Sequence, residues 1–103
     1  IELDDDPAVV EAYIQYLYTR QVAFPSVAHD NWTYLASLYV LGEKFIDISF
    51  KNAVIDTMLD YHEERSSFPP YKAVKIIYEG TPLFSPARKL VLDMYAWRWN
   101  KIW

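Results

Sequence analysis

Apolar residues recur at three- and four-residue spacing over most of the chain, which is the pattern of amphipathic α-helices. The predicted helices cover residues 7–18, 31–45, 48–64, 71–79 and 86–99. In the first of them, one apolar stripe is predicted to be buried, made of Val10, Tyr13, Ile14, Leu17 and Tyr18. Val9, Ala12 and Tyr16 flank this stripe, so the helix is apolar over more than half its girth. The second helix has the broadest apolar face and is predicted to be central.

Residues at the predicted helix ends support these boundaries. Asp6 before Pro7 and Ser85 before Pro86 combine an N-cap acceptor with a proline at the first helical position. Asp47 can cap the third helix, and Gly80 is predicted to stop the fourth. Between the first two helices, "QVAF" at 21–24 predicts a stub of edge strand, and the stretch after Pro25 predicts a loop. The predicted fold class is mainly α, with about five helices and at most one short strand.

Composition restricts the classes of protein to which the chain can belong. A chain of 103 residues with 52% apolar and 17% aromatic residues is suited to a single folded core. The net charge of −4 disfavours non-specific binding to nucleic acid. With no cysteine there is no disulfide or thiolate metal site, which favours an intracellular, cytoplasmic or nuclear setting. The longest apolar run, 34–42, is too short to span a membrane.

Candidate catalytic and metal-binding residues are few. Asp4, Asp5 and Asp6 could hold a hard cation, but we interpret them as a solvated capping cluster, since no further ligands stand at suitable offsets. His29 and His62 lie in different segments and form no helical zinc pair, and His62 is interpreted as solvated at a helix end. The glycosylation pattern "NWT" at 31–33 is discounted. We expect no enzyme activity, no metal and no cofactor.

The C-terminal segment allows two interpretations. It combines basic with aromatic side chains, namely Arg88, Lys89, Arg98 and Lys101 with Trp97, Trp99 and Trp103. These side chains could stack on bases or lie in a membrane interface. Packing against neighbouring helices or a partner is preferred, because basic residues spread along a helix are common.

Three stretches together resemble the C-terminal half of a BTB/POZ domain of the fungal kind. The resemblance depends on an acidic-Pro helix start, a "YLYT" helix end and a helix ending in a Lys-Phe-Ile-Asp-Ile motif. These features lie in the stretches "IELDDDPAVVEAYIQYLYTRQVAF" and "LASLYVLGEKFIDISFKNAVID". The matching residues are Asp5, Asp6, Tyr16, Leu17, Tyr18, Thr19, Leu35, Tyr39, Leu41, Lys44, Phe45, Asp47 and Ile48. "VKIIYEGTPLFSPARKLVLDMYAWRW" resembles the helical extension of fungal members. Arg20 stands where the family often has Gly, and Gly42 where Ala is common.

The resemblance implies a domain division and a set of partners. Residues 1–64 would form the C-terminal part of the BTB-like domain and 65–103 an extension packed on it, with the family's opening strands and first two helices preceding Ile1. Helices that normally pack on those strands would leave an apolar patch uncovered, which marks an association site. From the net charge and the short apolar runs, we expect no nucleic-acid and no membrane partner.

The implied function is protein–protein interaction, by self-association or adaptor binding, and extends to recruitment of a cullin scaffold of ubiquitin ligases. The implied partner-binding residues are Tyr18, Thr19, Arg20, Tyr34 and Leu38. Tyr18 either packs in the core, which is preferred because fungal members with this C-terminal extension are not generally tied to cullins, or faces the partner. The alternative is a stand-alone helical domain that binds nucleic acid or membrane through its C-terminal helix.

Overall fold

The described part of the chain folds into five helices. The structure, a computed structural model, describes residues 7–22 and 31–102, with side chains described as far as Trp97. The helices are α1 Pro7–Thr19, α2 Asn31–Lys44, α3 Ile48–Arg65, α4 Tyr71–Gly80 and α5 Pro86–Ile102. The predicted mainly α class and all five helices are confirmed. The described part of the chain contains no strand. Gln21 and Val22 are irregular, whereas Ala23 and Phe24 of the predicted stub lie outside the described residues.

Helix α2 is the centre of the fold, as predicted. It packs against α1, α3 and α4, while α5 packs on α4. Most of its predicted apolar face is buried, namely Trp32, Leu35, Leu38, Tyr39 and Leu41, and Phe45 is half-buried. Because α4 from the predicted extension lies on α2, residues on both sides of the proposed division at 64 and 65 share one hydrophobic core. Among the described helices, none combines the length and apolar character needed to cross a bilayer.

Two of the predicted helix starts are confirmed by their hydrogen bonds. Asp47 is extended and its Oδ1 accepts a hydrogen bond from the Phe50 amide at 3.0 Å. Ser85 Oγ accepts from the Ala87 amide at 3.3 Å, directly before the Pro86 start of α5. Each side chain satisfies an amide that has no partner within its own helix. The predicted cap Asp6 lies outside the described residues.

Gly80 has a different role from the predicted one. It is the last residue of α4 and has no positive φ, so it does not end the helix as a left-handed cap. A Cβ at this position would lie 2.5 Å from Cγ2 of Val40 on α2. The glycine therefore permits the close approach of α4 to α2. Thr81 follows in an extended conformation, and its hydroxyl donates to the Ile77 carbonyl at 2.6 Å.

The predicted buried stripe of α1 is wrong. The buried residues are Val9, Ala12 and Tyr16, which the sequence placed only at the flank. The Tyr16 ring meets Phe50 edge-on at 4.9 Å, and its hydroxyl is 2.7 Å from Ser49 Oγ. Periodicity could not select this face, because α1 is apolar over most of its girth. Packing on α2 and the aromatic contacts with α3 decide it, and they leave the predicted stripe largely in solvent.

Candidate interaction surfaces

An exposed apolar surface follows from the orientation of α1. We call it the α1 surface, and it consists of Ile14, Leu17, Tyr18, Ile46 and Ile48, all of which are exposed. A helix turns by about 100° per residue, so Leu17 and Ile14 follow Tyr13 around α1 on the side away from Tyr16. The Tyr13 hydroxyl donates to Asp47 Oδ2 at 2.8 Å. The isoleucines flanking Asp47 in sequence therefore lie beside the exposed face of α1.

Tyr18 lies on the side of α1 that faces away from the core. Its side chain is 86% exposed, so the interpretation that it packs in the core is wrong. Nothing in the fold requires a tyrosine here, since the ring contributes little to core burial. An exposed Tyr combines apolar area with a hydroxyl at low conformational cost, which makes it suited to an interface.

The end of α1 next to Tyr18 is held by local hydrogen bonds. The Arg20 amide donates to the Tyr16 carbonyl at 2.7 Å, and the Thr19 hydroxyl donates to the Gln15 carbonyl at 3.0 Å. Arg20 has φ 62°, the left-handed conformation that glycine adopts without strain. This position is the one at which the BTB/POZ family often has Gly. The turn after Thr19 thus forms with an arginine in the left-handed conformation, and Thr19 and Arg20 are both exposed.

Ile46 is the least expected residue of the α1 surface. Its amide donates to the Glu43 carbonyl at 3.2 Å and the Asp47 amide donates to the Gly42 carbonyl at 3.0 Å, which is the Schellman pattern of a helix end. Ile46 occupies the left-handed position, with φ 53°, where glycine is usual and a β-branched residue is strained. Its side chain is nevertheless 79% exposed. Neither backbone geometry nor core packing accounts for an isoleucine here.

Of the five residues predicted for partner binding, the two on α2 are less exposed than the three at the end of α1. Leu38 is fully buried in the core, because α2 is enclosed by three helices, and its side chain is not available to a partner. Tyr34 is half-buried. Burial raises the pKa of its hydroxyl, and the Glu11 carboxylate of α1 raises it further. The exposed members of the predicted set are therefore Tyr18, Thr19 and Arg20.

Because of Tyr13, the stability of the fold is expected to fall at alkaline pH. Burial raises the pKa of its hydroxyl above 10.0, and the hydrogen bond to Asp47 raises it further. The folded state therefore holds this proton more tightly than the unfolded state does. The contribution of Tyr13 to the free energy of unfolding is fully present below about pH 10, the tyrosine pKa of an unfolded chain. It is lost as the pH rises through the higher pKa that Tyr13 has in the folded state.

We expect urea unfolding to give a free energy of unfolding that falls as the pH rises above about 10, and that falls less steeply in Tyr13→Phe. Other groups titrate in the same range, so the difference between the two proteins isolates Tyr13. Equal slopes in variant and wild type would contradict this assignment.

The described basic residues of the C-terminal segment are used within the fold. Arg88 Nη2 donates to the Tyr78 and Thr81 carbonyls at 2.7 and 2.6 Å, and its guanidinium lies 4.7 Å from the Tyr78 ring centre. Lys89 pairs with Asp93 at 2.9 Å. The Trp97 ring stacks on Phe68 with centroids 6.3 Å apart. The nucleic-acid or membrane alternative thus depends mainly on 98–103, whose side chains lie outside the described residues.

The remaining candidates that the structure describes, His62 and Asn31, are engaged in contacts within the fold. The interpretation of His62 as solvated is wrong, since it is half-buried, lies 2.7 Å through Nδ1 from the Ser67 carbonyl and meets the Phe68 ring edge-on. Asn31 is buried, and its amide donates to the Tyr61 hydroxyl at 3.5 Å, so it offers no open glycosylation site. Within 7–22 and 31–97, no group of three acidic or histidine residues could hold a metal ion. The predicted capping cluster and His29 lie outside the described residues.

Comparison with known proteins adds no assignment. No protein-family model matches the chain, and no curated protein and no solved structure matches it. The resemblance to BTB/POZ domains stays a prediction based on the quoted motifs.

Proposed function

We propose that the chain is a protein-interaction module of the BTB/POZ type, which binds an adaptor or scaffold protein through the α1 surface. The observation that carries this proposal is the exposure of Tyr18 beside Leu17 and Ile14 on one helix. Contiguous exposed apolar side chains are uncommon on monomeric domains unless a partner covers them. Tyr18 supplies the aromatic anchor that such interfaces use, and the exposed Arg20 supplies a neighbouring guanidinium.

The strained Ile46 gives a second line of support. Glycine at this Schellman position would relieve a left-handed backbone cost of roughly 1–2 kcal/mol. An isoleucine that is both strained and 79% exposed is disadvantageous for the isolated fold. Contact with a partner would account for it, because burial of an isoleucine side chain contributes about 1.5–3 kcal/mol.

The resemblance suggests which partner to test first. In BTB proteins that recruit a cullin, the "YT" helix end and neighbouring helices contact the scaffold, and the matching residues here are Tyr18 and Thr19. Both are exposed, and Tyr18 is not required by the core. A cullin scaffold is therefore the first candidate for the α1 surface, and self-association through this surface is the competing outcome.

The test uses the purified chain, a purified cullin N-terminal domain and isothermal titration calorimetry. Tyr18→Ala and Ile46→Gly are expected to weaken binding at least about tenfold, since central anchors contribute most of an interface's energy. Ile46→Gly should at the same time keep or raise the melting temperature, because it removes backbone strain. The control is Tyr71→Ala, which removes a similarly exposed tyrosine from α4 and should leave binding unchanged.

Two results would count against the proposal. If the wild-type chain binds no cullin, the ligase-adaptor role is excluded. If, in addition, light scattering shows no association that depends on Tyr18 or Ile46 and the native chain binds no hydrophobic dye, the α1 surface is not an interaction site. Circular dichroism of each variant separates loss of binding from loss of folding.

A further inference from the structure

A second apolar region lies where α4 gives way to α5. We call it the α4–α5 groove, a cavity of about 510 Å³. Its apolar lining is Tyr78, Leu83, Phe84 and Leu92, and all four side chains are exposed to solvent. It lies on different helices from the α1 surface. A cavity of this volume with an apolar lining falls within the size range of specific binding sites.

Phe84 is the unusual residue of the groove. It is the third residue of a turn closed by the Ser85 amide, which donates to the Pro82 carbonyl at 3.2 Å. Its φ is 69°, at a turn position where a positive φ favours glycine or asparagine. The side chain is 91% exposed. A bulky aromatic residue in this conformation is strained, and the core gains nothing from it.

We propose that the α4–α5 groove binds the same groove of a second copy of this chain, with Phe84 of each copy inserted into the cavity of the other. The protruding ring and the cavity belong to one surface, so the surface is complementary to itself. A two-fold axis uses the same patch on both copies and satisfies both contacts at once.

The charges at the rim agree with a symmetric pair. Lys89 and Asp93 are one helical turn apart on α5 and pair with each other at 2.9 Å, both largely exposed. When two α5 helices cross antiparallel near Leu92, Lys89 of each copy faces Asp93 of the other. Arg88 is directed to the carbonyls at the end of α4, so it adds little repulsion at the rim. The pair of Lys89 and Asp93 carries no net charge, so it adds nothing to the repulsion expected between two chains of net charge −4.

The available area sets the strength of the dimer. The exposed parts of the four lining side chains offer roughly 400–500 Å² per copy, since a fully buried aromatic residue removes about 150–250 Å² from water. A standard interface buries about 800 Å² per partner. The dimer is therefore expected to be of the weak, concentration-dependent kind.

This inference deepens the proposed interaction function, because it names a second copy as a partner and the α4–α5 groove as its site. It does not depend on what binds the α1 surface. The two proposals can fail separately, since their key residues, Phe84 and Tyr18, lie on different elements.

Sedimentation equilibrium of the purified chain from about 5 to about 500 μM tests the inference, because a weak dimer forms only as the protein concentration rises through such a range. The wild type is expected to dimerise. Phe84→Gly is expected to weaken the dimer at least about tenfold without lowering the melting temperature, because it removes the anchor and the strained conformation together. Leu92→Asp, which places a charge in the groove, should weaken it likewise while circular dichroism shows a folded chain.

Ser66→Gly is the matched control for the glycine substitution. Ser66 also has a positive φ, 50°, at the end of α3, but it lies outside the groove. This variant should dimerise as the wild type does. A wild-type chain that is monomeric at about 500 μM overturns the inference, as does a dimer that survives both Phe84→Gly and Leu92→Asp. A dimer abolished by Tyr18→Ala and kept in Phe84→Gly also overturns it, while leaving the α1 surface as an association site.

Discussion

Replacing Phe50 with alanine is expected to lower the free energy of unfolding by about 3–5 kcal/mol, a large part of the stability of a domain this size. Phe50 is fully buried at the start of α3. Its ring meets the rings of Tyr13 and Tyr16 edge-on, at 4.8 and 4.9 Å. The substitution removes the contact that holds α1 against α3 and leaves a cavity that the surrounding rings cannot fill.

Urea unfolding followed by circular dichroism measures this loss, and the melting temperature should fall by roughly 12–40 °C. Phe84→Ala is the matched control, because it deletes the same atoms from a side chain that is 91% exposed. Measured below the dimerisation range, it should change the free energy of unfolding by less than about 0.5 kcal/mol. Similar losses in both variants would contradict the assignment of Phe50 as the centre of the α1 to α3 contact.

Gly80→Ala is expected to destabilise the fold by about 1–3 kcal/mol, although alanine is the better helix former. The new Cβ would lie 2.5 Å from Cγ2 and 2.6 Å from Cγ1 of Val40, a β-branched side chain with little freedom to turn away. Helix α4 would have to move from α2, its most extensive neighbour in the core. At an exposed helix position, the same substitution would instead stabilise the fold.

A double-mutant cycle identifies the cause of this loss. Val40→Ala removes the two methyl groups that the Gly80→Ala side chain meets, so the double variant should be more stable than the sum of the two single losses predicts, by about 1 kcal/mol or more. The measurement is the free energy of unfolding in urea for all four proteins. Additive losses would show that the close approach of α4 to α2 does not depend on this pair.

The helices themselves were predictable because their signals are local. The three- and four-residue spacing, the Asp47 cap and the Ser85 and Pro86 start each act within one or two turns of chain, and all five predicted helices are present. The buried face of α2 was also predictable, because its apolar residues are too many and too broadly spread to be left in water. The exposed left-handed residues Ile46 and Phe84, in contrast, have no sequence signal that distinguishes them from core residues.

The sequence by itself determined which segments are helical, where most of them begin and that α2 is central. Tertiary packing alone decided that Tyr16 and not Tyr18 enters the core, because α1 is apolar on both sides and the faces are distinguished by its packing on α2 and by the contact of Tyr16 with Phe50 on α3. It also decided that Gly80 accommodates Val40 and that Leu38 is enclosed. These outcomes depend on contacts between residues distant in sequence, and helical periodicity contains no information about which neighbour a face will meet.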